Sequence, residues 1–187
     1  DADAIVGDEV NVKTLAEGTQ FITLDEKERK LAATDLMICN KEEGMCIAGV
    51  FGGTKSGVTE STKNIFLESA YFSPDYIRKS AQKHQLKTDA SFRYERGTDP
   101  NITVYALKIA ALLIKEIAGG EISSEISDIY PSPIEDFQVK VKFTNVDRLI
   151  GKALGNEKIK EILISLDIQI SEATPAGFVA IVPAYRV

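Results

Sequence analysis

Apolar and polar residues alternate along the first third of the chain, and the period then changes. "EVNVKTL" (9–15) and "FITLD" (21–25) alternate strictly, which predicts strands with one face buried. "DLMICN" (35–40) and "MCIAGVF" (45–51) are short unbroken apolar runs, as in strands covered on both faces. "NIFLESAYF" (64–72) reads as a further strand with Glu68 set among apolar neighbours. Helical spacing follows. Ser73-Pro74-Asp75 predicts a helix start, with serine as cap, proline in the first turn and aspartate at the positive end of the dipole, running to about His84. A second start at Thr98-Asp99-Pro100 precedes Ile102, Tyr105, Ala106, Ile109, Leu112, Leu113 and Ile117, which share a helical face, and Gly119-Gly120 closes it.

"YPSPIED" (130–136) reads as a linker. Beyond it, "FQVKVKF" alternates as a strand. Thr144 to Asp147 resembles a capping box with aspartate in place of glutamate, and Gly151 stops that short helix. Asn156 caps another helix, with Ile159, Ile162, Leu163 and Leu166 on one face. "DIQIS" and "GFVAIV" pair as a hairpin around "EATPAG". The predicted class is α+β: a mixed or antiparallel sheet domain with flanking helices over 1–129, then a small winged-helix-like α+β module over 135–187.

Composition narrows the function classes. The 187 residues are 44% hydrophobic and 27% charged, enough to bury a core without disulfides or metals. A net charge of −6 excludes a globally basic nucleic-acid binder but leaves room for a local basic patch. Cys39 and Cys46 lack zinc-ligand spacing and read as buried thiols in a reducing compartment. No apolar run approaches the ~20 residues that cross a bilayer, so no membrane partner is expected. The chain begins at "DADAIVGDEV" without Met, as a piece of a larger protein would.

Candidate chemistry is sparse. "MCIAGVFGGTKSG" (45–57) holds Gly49, Gly52, Gly53 and Gly57, yet its spacing is neither a Walker A loop nor a dinucleotide fingerprint. It reads either as a bend in the sheet or as a pocket wall where a ligand touches backbone. Glu68 faces solvent by strand alternation, or faces inward and needs a partner, such as a ligand hydroxyl. His84 reads as a solvated imidazole at a helix end. Ser56, Ser69 and Ser91 lack a nucleophile-elbow context. Over 76–96, Arg78, Lys79, Lys83, Lys87, Arg93 and Arg96 outnumber Asp89 and Glu95. That run is a solvated helix face or a set of phosphate contacts.

"KTDASFRYERGTDP" (87–100), with "IAGVFGGTKSGV" and "FLESAYFSP" upstream in the same order and spacing, closely resembles the beta subunits of bacterial phenylalanyl-tRNA synthetases. Residues 1 to about 127 resemble the later majority of that family's editing domain, and residues from about 135 resemble the start of the module that follows. The resemblance implies post-transfer editing: hydrolysis of tyrosine mischarged onto tRNA(Phe). It implies that Glu68 accepts a hydrogen bond from the tyrosine hydroxyl and that Ala90 leaves room for the ring. It also implies that Thr88 neighbours Ala90 in the pocket, that Gly49 lies beside the amino acid, and that Gly52 and Gly53 shape the same wall. The family's editing histidine, in a motif reading HAFD, would fall before Asp1, so hydrolysis is expected of the full-length enzyme rather than of this stretch alone. tRNA(Phe), an alpha subunit in a heterotetramer of two alpha and two beta chains, and a cytoplasmic location are implied for that enzyme. So are ATP and magnesium, with no cofactor in this part. The alternative from the residues is a structural, tRNA-contacting module without chemistry of its own.

Overall fold

The computed structural model describes residues 1–186, which fall into two compact units, Asp1–Ile126 and from Ser127 onward. The first unit is built on antiparallel strands. β1 (Asn11–Thr14), β4 (Leu36–Cys39), β5 (Gly44–Ile47) and β6 (Phe51–Gly52) form one sheet in the order β1-β4-β5-β6. β2 (Gln20–Ile22) and β3 (Glu28–Lys30) form a separate hairpin. A bridge between Thr23 and Gly53, with Leu24 N–H donating to Gly52 O at 3.0 Å, ties that hairpin to the glycine loop.

The unbroken apolar run over 45–51 is two strands rather than one. Gly49 sits at φ +64°, and Val50 N–H donates to Ile47 O at 3.0 Å, so the chain reverses over Ala48–Val50. A positive φ in the second central position of a turn is the conformation glycine adopts without strain. Residues 64–72 form no strand: the stretch around Glu68 is irregular. Alternation there lacks a neighbouring strand to bond.

Helix α1 (Pro74–His84) starts where the sequence predicts, although the Ser73 side chain makes no capping bond. Its buried stripe is Ile77, Ser80, Ala81 and His84, and Ile77 joins Leu31, Met37, Ile47, Val50 and Phe72 in the core. α1 ends at Gln85, in the left-handed region, with Leu86 N–H donating to Ala81 O at 2.9 Å. A short helix, α2 (Asp89–Tyr94), follows, closed by a capping box between Thr88 and Ser91. Sequence periodicity does not reveal it, because six residues carry too few apolar positions to show a period.

α3 (Thr103–Ala118) begins later than its proline suggests, since the Asp99 carboxylate accepts from Asn101 N–H and holds a turn there instead. Its apolar stripe is real but uncovered: Tyr105, Leu112 and Ile117 are all more than half exposed. In the second unit, β7 (Phe137–Lys142) pairs with β9 (Gly177–Val182), which also pairs with β8 (Gln169–Ser171). α4 (Phe143–Ile150) and α5 (Asn156–Ile164) complete the strand, two helices and hairpin that the pattern predicts. Phe143, Ile159, Phe178 and Ala180 make its core, with the Phe143 and Phe178 rings 5.3 Å apart. Gly151 is the left-handed cap of α4. The Asp147 carboxylate accepts from Leu154 N–H rather than closing a capping box.

Candidate functional site

The β5–β6 turn, α2 and the irregular segment that runs through Glu68 to Phe72 converge. Gly49 is packed so closely that a Cβ there would lie 2.9 Å from Phe72, 3.0 Å from Ile77 and 3.2 Å from Tyr94. Phe72 and Tyr94 meet edge to face with centroids 5.1 Å apart, a favoured aromatic geometry. Thr88 fixes α2 against the turn: its hydroxyl donates to Val50 O at 2.7 Å and accepts from Ser91 N–H at 3.0 Å. The donor of that hydroxyl is thereby used, and Thr88 ties the start of α2 to the turn. Ala90 is exposed and stands four positions before Tyr94 on α2, a spacing that puts both on one flank of the helix.

Glu68 belongs to this neighbourhood by its field. Burial raises the Tyr94 phenol above its ordinary pKa, and the Glu68 charge raises it further. Burial likewise pushes the Cys46 thiol up to about 12, with Glu68 the next contributor. Glu68 itself retains solvent-exposed surface, yet surrounding atoms strip enough water from its carboxyl to raise its pKa. Glu68 lines neither the cavity beside Gly53 nor the cleft between α1 and α2, so the shift reflects neighbouring atoms crowding the carboxyl of a side chain that is exposed by surface area. Among the described residues, no hydrogen bond or ion pair engages Glu68.

Gly52 and Gly53 face other neighbours. A Cβ on Gly52 would meet Leu24 at 2.9 Å, and one on Gly53 would meet Met45 O at 2.6 Å and the Phe21 ring at 2.7 Å. Gly53 lines a cavity of about 380 Å³ with Phe21, Leu31 and Met45. Those two glycines let the β2–β3 hairpin approach the sheet.

His84 is not a solvated imidazole. It is 8% exposed, and its Nε2 lies 2.6 Å from Asp35 Oδ2. The Ser80 hydroxyl donates to Asp35 Oδ1 at 2.6 Å, and Ala32 N–H donates to Oδ2 at 2.7 Å. Burial alone would raise the Asp35 pKa, but these donors outweigh it and hold the carboxyl below its ordinary range. Serine and histidine both bond the aspartate and not each other, so the trio lacks a nucleophile–base pair and clamps α1 to the loop before β4. Arg29 adds to the clamp by donating to His84 O at 2.8 Å. The partner carboxylate lies 49 positions away, which is why local sequence does not reveal it. Cys39 is buried and Cys46 is half-buried. Among the described residues, no cluster of three or more His, Cys, Asp or Glu could hold a metal.

The basic run divides in two. Arg78 donates to Glu95 O at 2.7 Å and pairs with Asp75, while Arg96 pairs with Glu95 and stacks 3.7 Å over the Phe92 ring. Lys79, Lys83, Lys87 and Arg93 make no ion pair among the described residues. Sequence reasoning missed the roles of Phe72, Tyr94 and Phe92, although Phe92 and Arg96 are spaced for contact on one helix face.

A glycine turn, an acidic side chain without a partner among the described residues and an aromatic pair thus come together on an antiparallel α+β scaffold. Residues 1–119 match the B3/4 domain, and the chain belongs to that family. Along all 187 residues it is 58% identical to the phenylalanine–tRNA ligase beta subunit of Bacteroides fragilis (strain YCH46). It is 49% identical over 183 residues to that of Porphyromonas gingivalis (strain W83), covering 97% of this chain, and 39% identical over 187 residues to that of Geobacter metallireducens (strain GS-15). The chain spans 23%, 22% and 23% of the length of these three relatives. Among the described residues, no helix is long and apolar enough to cross a membrane.

Proposed function

We propose that this chain is the proofreading part of a phenylalanine–tRNA ligase beta subunit, binding the tyrosyl end of mischarged Tyr-tRNA(Phe) for hydrolysis. The carrying observation is Glu68: a carboxylate that is exposed yet partly desolvated, without a hydrogen-bond or ion-pair partner among the described residues, and within electrostatic reach of the Tyr94 phenol. A carboxylate so placed is completed by a ligand O–H. Tyrosine supplies that donor and phenylalanine does not, so the site selects the amino acid that an apolar synthetic pocket rejects only about 100-fold. Ala90 leaves the space for the ring, the Gly49 backbone lies beside the amino acid with Phe72, Ile77 and Tyr94 packed against it, and Gly52 and Gly53 support the same loop from behind. Water attacks the ester carbonyl, the carbonyl carbon–ribose oxygen bond breaks, and tyrosine and free tRNA leave. No side-chain nucleophile is invoked: binding aligns water and ester, and the ribose hydroxyl of the substrate assists.

In the complete enzyme we assign ATP and magnesium to aminoacylation, outside this stretch, and no step here passes through either. An alpha subunit, in an assembly of two alpha and two beta chains, completes the ligase, which acts on tRNA(Phe) in the cytoplasm. Hydrolysis is assigned to the full-length enzyme. A second reading, a tRNA-contacting module without chemistry, draws on the unpaired Lys79, Lys83, Lys87 and Arg93.

The test is Glu68→Ala in the full-length ligase. Deacylation of Tyr-tRNA(Phe) should fall roughly 10- to 100-fold, the worth of one charged hydrogen bond, while phenylalanine charging persists. Ala90→Trp should block the ring and give the same loss. Unchanged deacylation in both variants overturns the reading and leaves the second one standing.

A further inference from the structure

On the far side of α2 from Ala90 and Tyr94 lies a cleft of about 930 Å³ between the end of α1 and α2. Residue 92 falls roughly opposite 90 and 94 around a helix of 3.6 residues per turn, and Arg96 lies in the turn that follows α2. Phe92 is 59% exposed. One face of the ring carries the Arg96 guanidinium at 3.7 Å. Arg96 is itself held in place, donating to Phe92 O at 2.7 Å and to the Glu95 carboxylate at 2.9 Å. The guanidinium is therefore fixed on the ring by two hydrogen bonds, and more than half of Phe92 stays exposed.

The rest of the lining suits a flat, polar, uncharged group. Gln82 and Gln85 bring side-chain amides from α1. The charged lining, Lys87 and Arg96 against Asp89 and Glu95, sums to zero. A nucleobase has a π-face for the ring and edges for the amides, and a neutral cleft does not repel it. Phosphates on either side of it meet the unpaired Lys83 and Arg93, neighbours in sequence of the lining. An acidic peptide would gain from the lysines, but it offers no planar group to an exposed aromatic ring. Thr88 borders the cleft and also anchors the Val50 turn, so the cleft adjoins the candidate pocket without being part of it.

We infer that the Phe92–Arg96 stack is a platform for an unpaired nucleotide of the RNA, upstream of the one that carries the amino acid. The inference rests on the proposed editing reading only for the identity of that RNA. A strand that stacks here and crosses α2 delivers its esterified end to the Ala90 flank, so the platform sets register and not chemistry.

The experiment uses the full-length ligase and an RNA hairpin with a single-stranded 3′ tail, in which each tail base in turn is replaced by 2-aminopurine. Stacking quenches the fluorescence at one tail position. Phe92→Ala abolishes that quenching and weakens tail binding roughly tenfold, and Phe92→Trp retains both, since aromatic stacking accepts any ring. Phe92→Ala also raises the KM for Tyr-tRNA(Phe) deacylation roughly tenfold with little change in kcat. It leaves hydrolysis of tyrosyl-adenosine, which has no upstream nucleotide, unaltered. Quenching that is absent in the native enzyme, or that survives in Phe92→Ala, overturns the platform. So does an equal loss on tyrosyl-adenosine, which marks a structural defect instead. Failure of the editing reading looks different: tail quenching remains, while Tyr-tRNA and Phe-tRNA are deacylated alike.

Discussion

Asp35 shows how far one side chain acts beyond its own segment. Its carboxylate is 1% exposed and takes bonds from Ser80, His84 and the Ala32 amide. Removing it leaves two buried polar groups on α1 without a partner. Asp35→Ala should therefore destabilise the first unit by roughly 3 kcal/mol, read from urea or thermal unfolding. The pH dependence has a definite sign. The folded carboxyl titrates below its ordinary value of 3.8, so its stabilisation is complete above that pH and declines as pH falls through the folded pKa. An acid-unfolding midpoint that does not move in Asp35→Ala would sink this assignment. Glu68 is the opposite case, a carboxyl raised by burial.

The turns decide the elements. Gly49 and Gln85 both occupy the left-handed region, at φ +64° and +54°. They respond oppositely to substitution. Gly49→Ala adds a Cβ within 3.2 Å of Phe72, Ile77 and Tyr94 and forces an L-residue into that region, which should cost roughly 2 kcal/mol. Gln85→Gly relieves the same backbone penalty at the end of α1 and should stabilise by up to about 1 kcal/mol. Paired melting curves on the two variants check this: melting shifts of the same sign would contradict it. Helix starts show why capping residues are weaker guides. Ser73 stands at the cap of α1 without bonding it, and Thr88 bonds the cap of α2, which periodicity does not reveal.

At the scale of the molecule, overall charge and local charge disagree usefully. The chain carries −6, yet Lys79, Lys83, Lys87 and Arg93 stand free of ion pairs among the described residues. Long-range repulsion of a nucleic acid is screened beyond about 8 Å at physiological salt, and contacts at the basic helix face are not. Binding of the full-length ligase to single-stranded RNA should weaken as salt rises, with a log–log slope reaching about −3 if four phosphates are neutralised. A flat slope would remove those residues from the interface. α3 belongs to this scale too. Its stripe has the spacing of a core face, and its exposure shows that amphipathic period specifies which face can be buried, not what buries it.

Much of the molecule was legible before its coordinates. The α+β class, α1, the strand–helix–helix–hairpin order of the second unit and the glycine cap of α4 rest on local chemistry: period, turn geometry and left-handed glycine. The three blocks at 47–58, 66–74 and 87–100 singled out the candidate site residues because their types and order are distinctive. What folding alone decided was partnership. His84 found Asp35 across 49 positions, and Gly49 came against Tyr94. Glu68 ended beside a phenol with no strand to hold it, and Gly53 turned to Phe21. Local sequence sets the shape each segment prefers. Which groups lose water together depends on contacts between segments far apart in the chain, and those exist only once the core has closed.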